Sequence, residues 1–126
     1  KNGLNPNVVF EGRLNQKEVY SKLNRSKIHV SASIDEAFGM VNLEAIALNT
    51  PILAHKVGGI KEILVDDCNG YFFDMNYSID LANKINKILS DDILYARLQK
   101  GALETFRKRF LLNKENINKK IDLILS

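Results

Sequence analysis

Residues 27–54 read KIHVSASIDEAFGMVNLEAIALNTPILA, and the order of elements within them decides the fold. Lys27 to Ser31 alternates in the manner of a strand. After a polar loop, Val41 to Leu48 has the apolar spacing and the alanines of a buried helix. Pro51-Ile52-Leu53-Ala54 supplies a second strand, with proline tolerated at its first position. Strand, helix, strand within so few residues points to a parallel pair, because parallel neighbours need a crossover connection.

The same alternation extends outward. Upstream, Asn7-Val8-Val9-Phe10-Glu11 is a β-branched and aromatic run ended by Gly12, expected to be a buried first strand. Asn15 followed by Glu18 makes a capping box for a helix whose face carries Val19, Tyr20 and Leu23. Downstream, Gly58-Gly59 breaks the chain before a short helical segment at Ile60 to Leu64. Asn69-Gly70 then marks a turn into the strand-like Tyr71-Phe72-Phe73, aromatics expected to pack in the core. From Ile79 the period is helical throughout: Leu81, Ile85, Ile88 and Leu89, then Leu94, Leu98 and Leu103, then Ile117, Ile121, Ile124 and Leu125. The expected architecture is α/β, a parallel sheet with flanking helices over residues 1–77 and a helical C-terminal part over 78–126, in one domain.

Composition narrows the function classes. With 126 residues, 45% hydrophobic and 26% charged, the chain suits one folded domain and is short for a two-lobed enzyme. A net charge of +3 is a mild basic excess, suited to an anionic ligand or a membrane surface. The apolar runs are far shorter than the roughly 20 residues that span a bilayer. The lone Cys68 has no partner for a disulfide and none at metal-ligand spacing, which favours a reducing cytoplasm. Arg107, Lys108 and Arg109 read as a solvated helix face.

In doubly wound sheets ligands sit beyond the carboxyl ends of the strands, where loops feed helix N-termini. The loop Ser33-Ile34-Asp35-Glu36-Ala37-Phe38-Gly39-Met40 is such a place. Gly39 allows close backbone approach, and the unpaired amides at the helix start favour negative charge. Two carboxylates, Glu36 and Glu44, flank those amides and can accept paired hydrogen bonds from sugar or ribose hydroxyls. Amides for phosphate beside carboxylates for hydroxyls is the chemistry a nucleotide sugar requires. Taken singly, Glu36 reads as a helix cap and Glu44 as a solvent-facing helix residue. As a binding carboxylate on a helix surface, Glu44 is expected to lose nucleotide binding on replacement by alanine without unfolding the chain, a large loss of thermal stability marking it instead as structural. His29 and His55 are expected not to be catalysts, although His55 follows a strand's carboxyl end.

The run Glu36-Ala37-Phe38-Gly39-Met40-Val41-Asn42-Leu43-Glu44 resembles the motif of two glutamates separated by seven residues in the group 1 retaining glycosyltransferases related to glycogen synthase. Val9-Phe10-Glu11-Gly12 upstream, and Ala47, Pro51, Gly58-Gly59, Glu62 and Asn69-Gly70 downstream, follow in family order over roughly residues 7 to 89. Ala37 and Asn49 stand where the family usually has glycine. The resemblance implies a Rossmann-like lobe of a GT-B fold that binds the donor nucleotide-diphosphate sugar, with Glu36 in the catalytic centre on the donor sugar's hydroxyls. Phe38, Gly39, Met40 and Val41 would line sugar and diphosphate, Glu44 would hold the ribose hydroxyls, and Gly12, Arg13 and Leu14 would lie near the base.

It implies a hexosyltransferase without metal or other cofactor, acting on a glycan or lipid acceptor in polysaccharide or glycan biosynthesis, with no nucleic-acid partner. The enzyme is expected in the cytoplasm, with peripheral association at the inner face of the membrane allowed by the basic excess. The family's acceptor lobe, the start of the donor domain and its diphosphate-binding basic pair lie upstream of this stretch. The chain is therefore expected to be part of a longer enzyme and inactive alone, with Ile117, Ile121 and Ile124 packing across to the missing lobe. Two rivals are a GT-B nucleotide-sugar epimerase, which would need acid and base residues in the cleft, and a non-catalytic nucleotide-binding or receiver-like module, which would need clustered acids at strand ends.

Overall fold

The computed structural model describes residues 6–32 and 40–111. Helix α1 (Gln16–Arg25) precedes strand β1 (His29–Ser31), followed by α2 (Met40–Ala47), β2 (Ile52–Ala54), a 3-10 turn (Gly58–Glu62), β3 (Gly70–Phe72), α3 (Ser78–Leu89) and α4 (Asp92–Phe106), with a π-helical turn at Arg107–Leu111. The sheet is parallel in the order β1-β2-β3. His29 lies opposite Ile52 and Ile52 opposite Gly70, while Ser31, Ala54 and Phe72 form the row at the other end. All three strands therefore finish on one side, the side from which the loop to α2 departs.

The expected first strand is not there. Val8, Val9 and Phe10 are 51%, 71% and 76% exposed in irregular backbone. A strand is held by a hydrogen-bonded neighbour, and among the described residues no strand pairs with 7–11. The run is tied to α1 by the exposed Lys22–Glu11 ion pair at 2.8 Å. The capping box of α1 is present in full: Asn15 Oδ1 accepts from the Glu18 amide at 2.8 Å, and Glu18 Oε1 accepts from the Asn15 amide at 2.8 Å.

Helix α2 is apolar on nearly every side and is buried from Asn42 to Ala47 between α1, the sheet and α4. It ends in a Schellman motif, with the Asn49 amide donating to the Ile46 carbonyl at 3.2 Å and the Thr50 amide to the Ala45 carbonyl at 2.9 Å. Asn49 takes the left-handed conformation this requires, at φ 62°. Asparagine tolerates that region better than other residues with a Cβ, so the turn survives without the family's glycine.

Among the described residues two apolar clusters cover the sheet's two faces. One joins α1, α2, Ile52, Ala54 and the 3-10 turn region; the other joins Leu53, Tyr71, Phe73 and Ile88. Helix α4 belongs to both, giving Leu94 and Leu98 to the second cluster and Ala102 and Phe106 to the first. Its stripe Arg97, Gly101, Thr105, spaced by four residues, grips the turn before β3. Arg97 donates to the Asp67 carbonyl and to Asp67 Oδ1 at 2.6 and 3.1 Å, a Cβ on Gly101 would overlap the Cys68 carbonyl, and Thr105 Oγ1 accepts from Asn69 Nδ2 at 3.0 Å. Asn69 is fully buried and uses both ends of its amide, accepting from the Val65 amide and donating to the Ile63 carbonyl. Hydrogen bonds from Tyr71 and then Arg97 hold the Asp67 carboxyl below the usual aspartate range. A Cβ on Gly70 would overlap the Ile52 carbonyl, so strand pairing there demands glycine.

Candidate functional site

The carboxyl ends of β1, β2 and β3 place Ala32, His55 and Phe73 at one edge of the sheet, and α2 begins above it at Met40. No acidic side chain lies in the first turn of α2, so within the helix nothing competes with an anion for its positive end. Val41 is exposed at that end, while Glu44, one turn further, is 3% exposed. Glu36, Phe38 and Gly39 lie outside the described residues.

Glu44 is not the surface helix residue its position suggested. Its Oε2 accepts from Tyr20 Oη at 3.2 Å and from Gln16 Nε2 at 3.5 Å. Gln16 and Tyr20 are four residues apart, so they share one face of α1 and converge on the same oxygen. The reason for the burial is that α1, the sheet and α4 all pack on α2, which leaves that helix no solvent face over Asn42–Ala47. Alanine at position 44 would remove an acceptor that two donors share and open space beside Tyr20.

The residues expected near the base are linked to Glu44 through α1. Gly12 sits at φ 71° with open space where a Cβ would stand, Arg13 is exposed and Leu14 half-buried. Leu14 lies two residues before Gln16, so the chain from Gly12 runs directly into the helix that holds Glu44. His55 follows β2, and its buried Nδ1 finds no hydrogen-bond partner among the described residues; nor does the buried Asn42 Oδ1. His29 heads β1, its amide donating to the Pro51 carbonyl at 2.9 Å. Gly58-Gly59 opens the 3-10 turn, as expected of a chain break. Glu62 is exposed, and its carbonyl accepts from Arg109 at 2.9 Å. Sequence reading did not single out Tyr20 or Gln16 for the site. The signal was their spacing of four on the face of α1, legible only once the partner helix was known.

Residues 1–105 match the family of glycosyl transferases group 1. The chain belongs to that family. It is 34% identical over 110 residues to an uncharacterized glycosyltransferase of Methanocaldococcus jannaschii, covering 87% of this chain and 31% of that protein. Among solved structures, the C-terminal domain of a group 1 family glycosyl transferase from Francisella tularensis superposes with a TM-score of 0.71 at 29% identity, over 84% of this chain and 53% of that one. Anabaena HepE, solved in complex with UDP-glucose, gives 0.71 at 28% identity over 86% of this chain and 30% of its own. The fold is that of GT-B glycosyltransferases, and this group 1 chain spans under a third of the length of the M. jannaschii relative. No helix among the described residues is long and apolar enough to cross a membrane.

Proposed function

We propose that this group 1 chain is the donor-binding part of a retaining glycosyltransferase that moves a hexose from a nucleotide-diphosphate sugar to a glycan or lipid acceptor. The observation that carries the reading is Glu44, a carboxylate held by two donors in the second turn of α2, the helix that follows β1 from the end of the sheet where such folds take ligands. Glu44 holds the ribose hydroxyls and Glu36 the hydroxyls of the donor sugar, with Phe38, Gly39, Met40 and Val41 along sugar and diphosphate. Gly12, Arg13 and Leu14 line the base. The α2 amides meet part of the diphosphate charge without a metal, and basic side chains of the rest of the enzyme meet the remainder. The UDP-glucose complex of Anabaena HepE supports a UDP-sugar as donor.

The test is to titrate UDP, GDP and ADP into isotope-labelled protein and follow backbone amides. Weak binding is expected, strongest for UDP, with shifts gathered at residues 36–44. Amides that stay unmoved there at millimolar nucleotide would sink the assignment. Glu44→Gln, nearly isosteric, is the variant to compare.

A further inference from the structure

We propose that Tyr20, with Gln16 in support, is a positioning residue that orients Glu44 for the ribose. The proposal rests on the reading of Glu44 as the ribose carboxylate. Three observations carry it. Tyr20 is 7% exposed and its hydroxyl lies 3.2 Å from Glu44 Oε2. Gln16 Nε2 reaches the same oxygen at 3.5 Å from one turn earlier on the same helix. The helix that carries both is anchored at its start by a complete capping box, so the two donors come from a fixed platform.

A glutamate has three side-chain torsions and, unrestrained, spreads its carboxylate over many orientations; ordering it on ligand binding costs affinity. Two donors converging on one oxygen fix the carboxylate plane before the ligand arrives. An ionised carboxylate offers about four lone-pair sites, and engaging Oε2 from the α1 side sets which direction the acceptors present to a pair of vicinal hydroxyls. The phenol does not touch the nucleotide; it acts through Glu44. It also supplies a donor to a carboxylate taken almost wholly out of water, which otherwise would be costly to bury.

The experiment measures dissociation constants of the 126-residue chain for UDP and for 2′,3′-dideoxy-UDP, in the wild type, Tyr20→Phe, Gln16→Ala and Glu44→Gln, beside circular dichroism and a thermal melt. The wild type should prefer UDP, and Glu44→Gln should abolish the preference. Tyr20→Phe should lose about 3- to 10-fold for UDP and nothing for the dideoxy nucleotide. Gln16→Ala, at an exposed position, should move the same way by less. A merely structural tyrosine would weaken both nucleotides alike. A wild type without preference, or a Glu44→Gln that keeps it, sinks the ribose reading and the proposal with it. Preference retained in full by Tyr20→Phe, with Glu44→Gln behaving as expected, overturns the positioning role alone. Should Tyr20→Phe fail to fold, Gln16→Ala decides: unchanged preference overturns the proposal.

Discussion

Asn49 holds a left-handed backbone at φ 62° that glycine would adopt at no steric cost. For residues with a Cβ that region costs about 1–2 kcal/mol, less for asparagine, while glycine carries extra freedom in the unfolded chain that offsets part of the gain. Asn49→Gly is therefore expected to raise stability by about 0.5 kcal/mol, seen as a higher midpoint in urea at unchanged slope; a lower midpoint would mean that the asparagine side chain contributes more than its backbone costs. The departure from family sequence was visible in the chain, but its harmlessness was not, because only the paired amides of Asn49 and Thr50 reveal a Schellman turn. At Glu44 the opposite occurred. Spacing marked the residue, whereas its burial came from the packing of α1 on α2, which no local pattern encodes. Glu44→Ala should accordingly cost about 2–4 kcal/mol of stability, a loss that a thermal melt would register and that a surface glutamate would not produce.

At the scale of elements, α4 sets two effects against each other at Gly101. Helix propensity alone favours alanine in mid-helix by about 0.5–1 kcal/mol. The Cβ, however, would overlap the Cys68 carbonyl, and overpacking against backbone costs about 1–3 kcal/mol or more. Gly101→Ala should thus destabilise by at least ~1 kcal/mol in a denaturant titration; a stabilised variant would show that α4 can move off the turn before β3. Most elements were legible in the sequence: the capping box of α1, the alternation of β1, the apolar α2, the proline before β2, and the amphipathic α3 and α4 all appear within a few residues of their expected bounds. The run at 7–11 misled because β-branched composition reports fitness for a sheet and says nothing of whether a neighbour is present. Gly101 was unremarkable in the chain, since a glycine in a helix pattern gains meaning only from what passes beside it. The expected apolar stripe at Ile117, Ile121 and Ile124 lies outside the described residues.

For the molecule as a whole, sugar transfer needs donor and acceptor held in one geometry with water excluded, and much of the rate of such reactions comes from that positioning. On the proposed reading of the chain as a donor-binding part, it is expected to give no measurable transfer from labelled nucleotide sugars by itself; robust turnover by the isolated chain would refute this. The two apolar clusters would, on their own, allow the molecule to come apart in two stages, one sheet face before the other. Helix α4 forbids it. Because Leu94 and Leu98 serve one cluster and Ala102 and Phe106 the other along a single rigid rod, neither face can be exposed without withdrawing support from its opposite. Calorimetric and van't Hoff enthalpies of melting should therefore coincide, and the slowest-exchanging amides should include those of β2 and α4 together, so that a protein with two hydrophobic centres melts as though it had one.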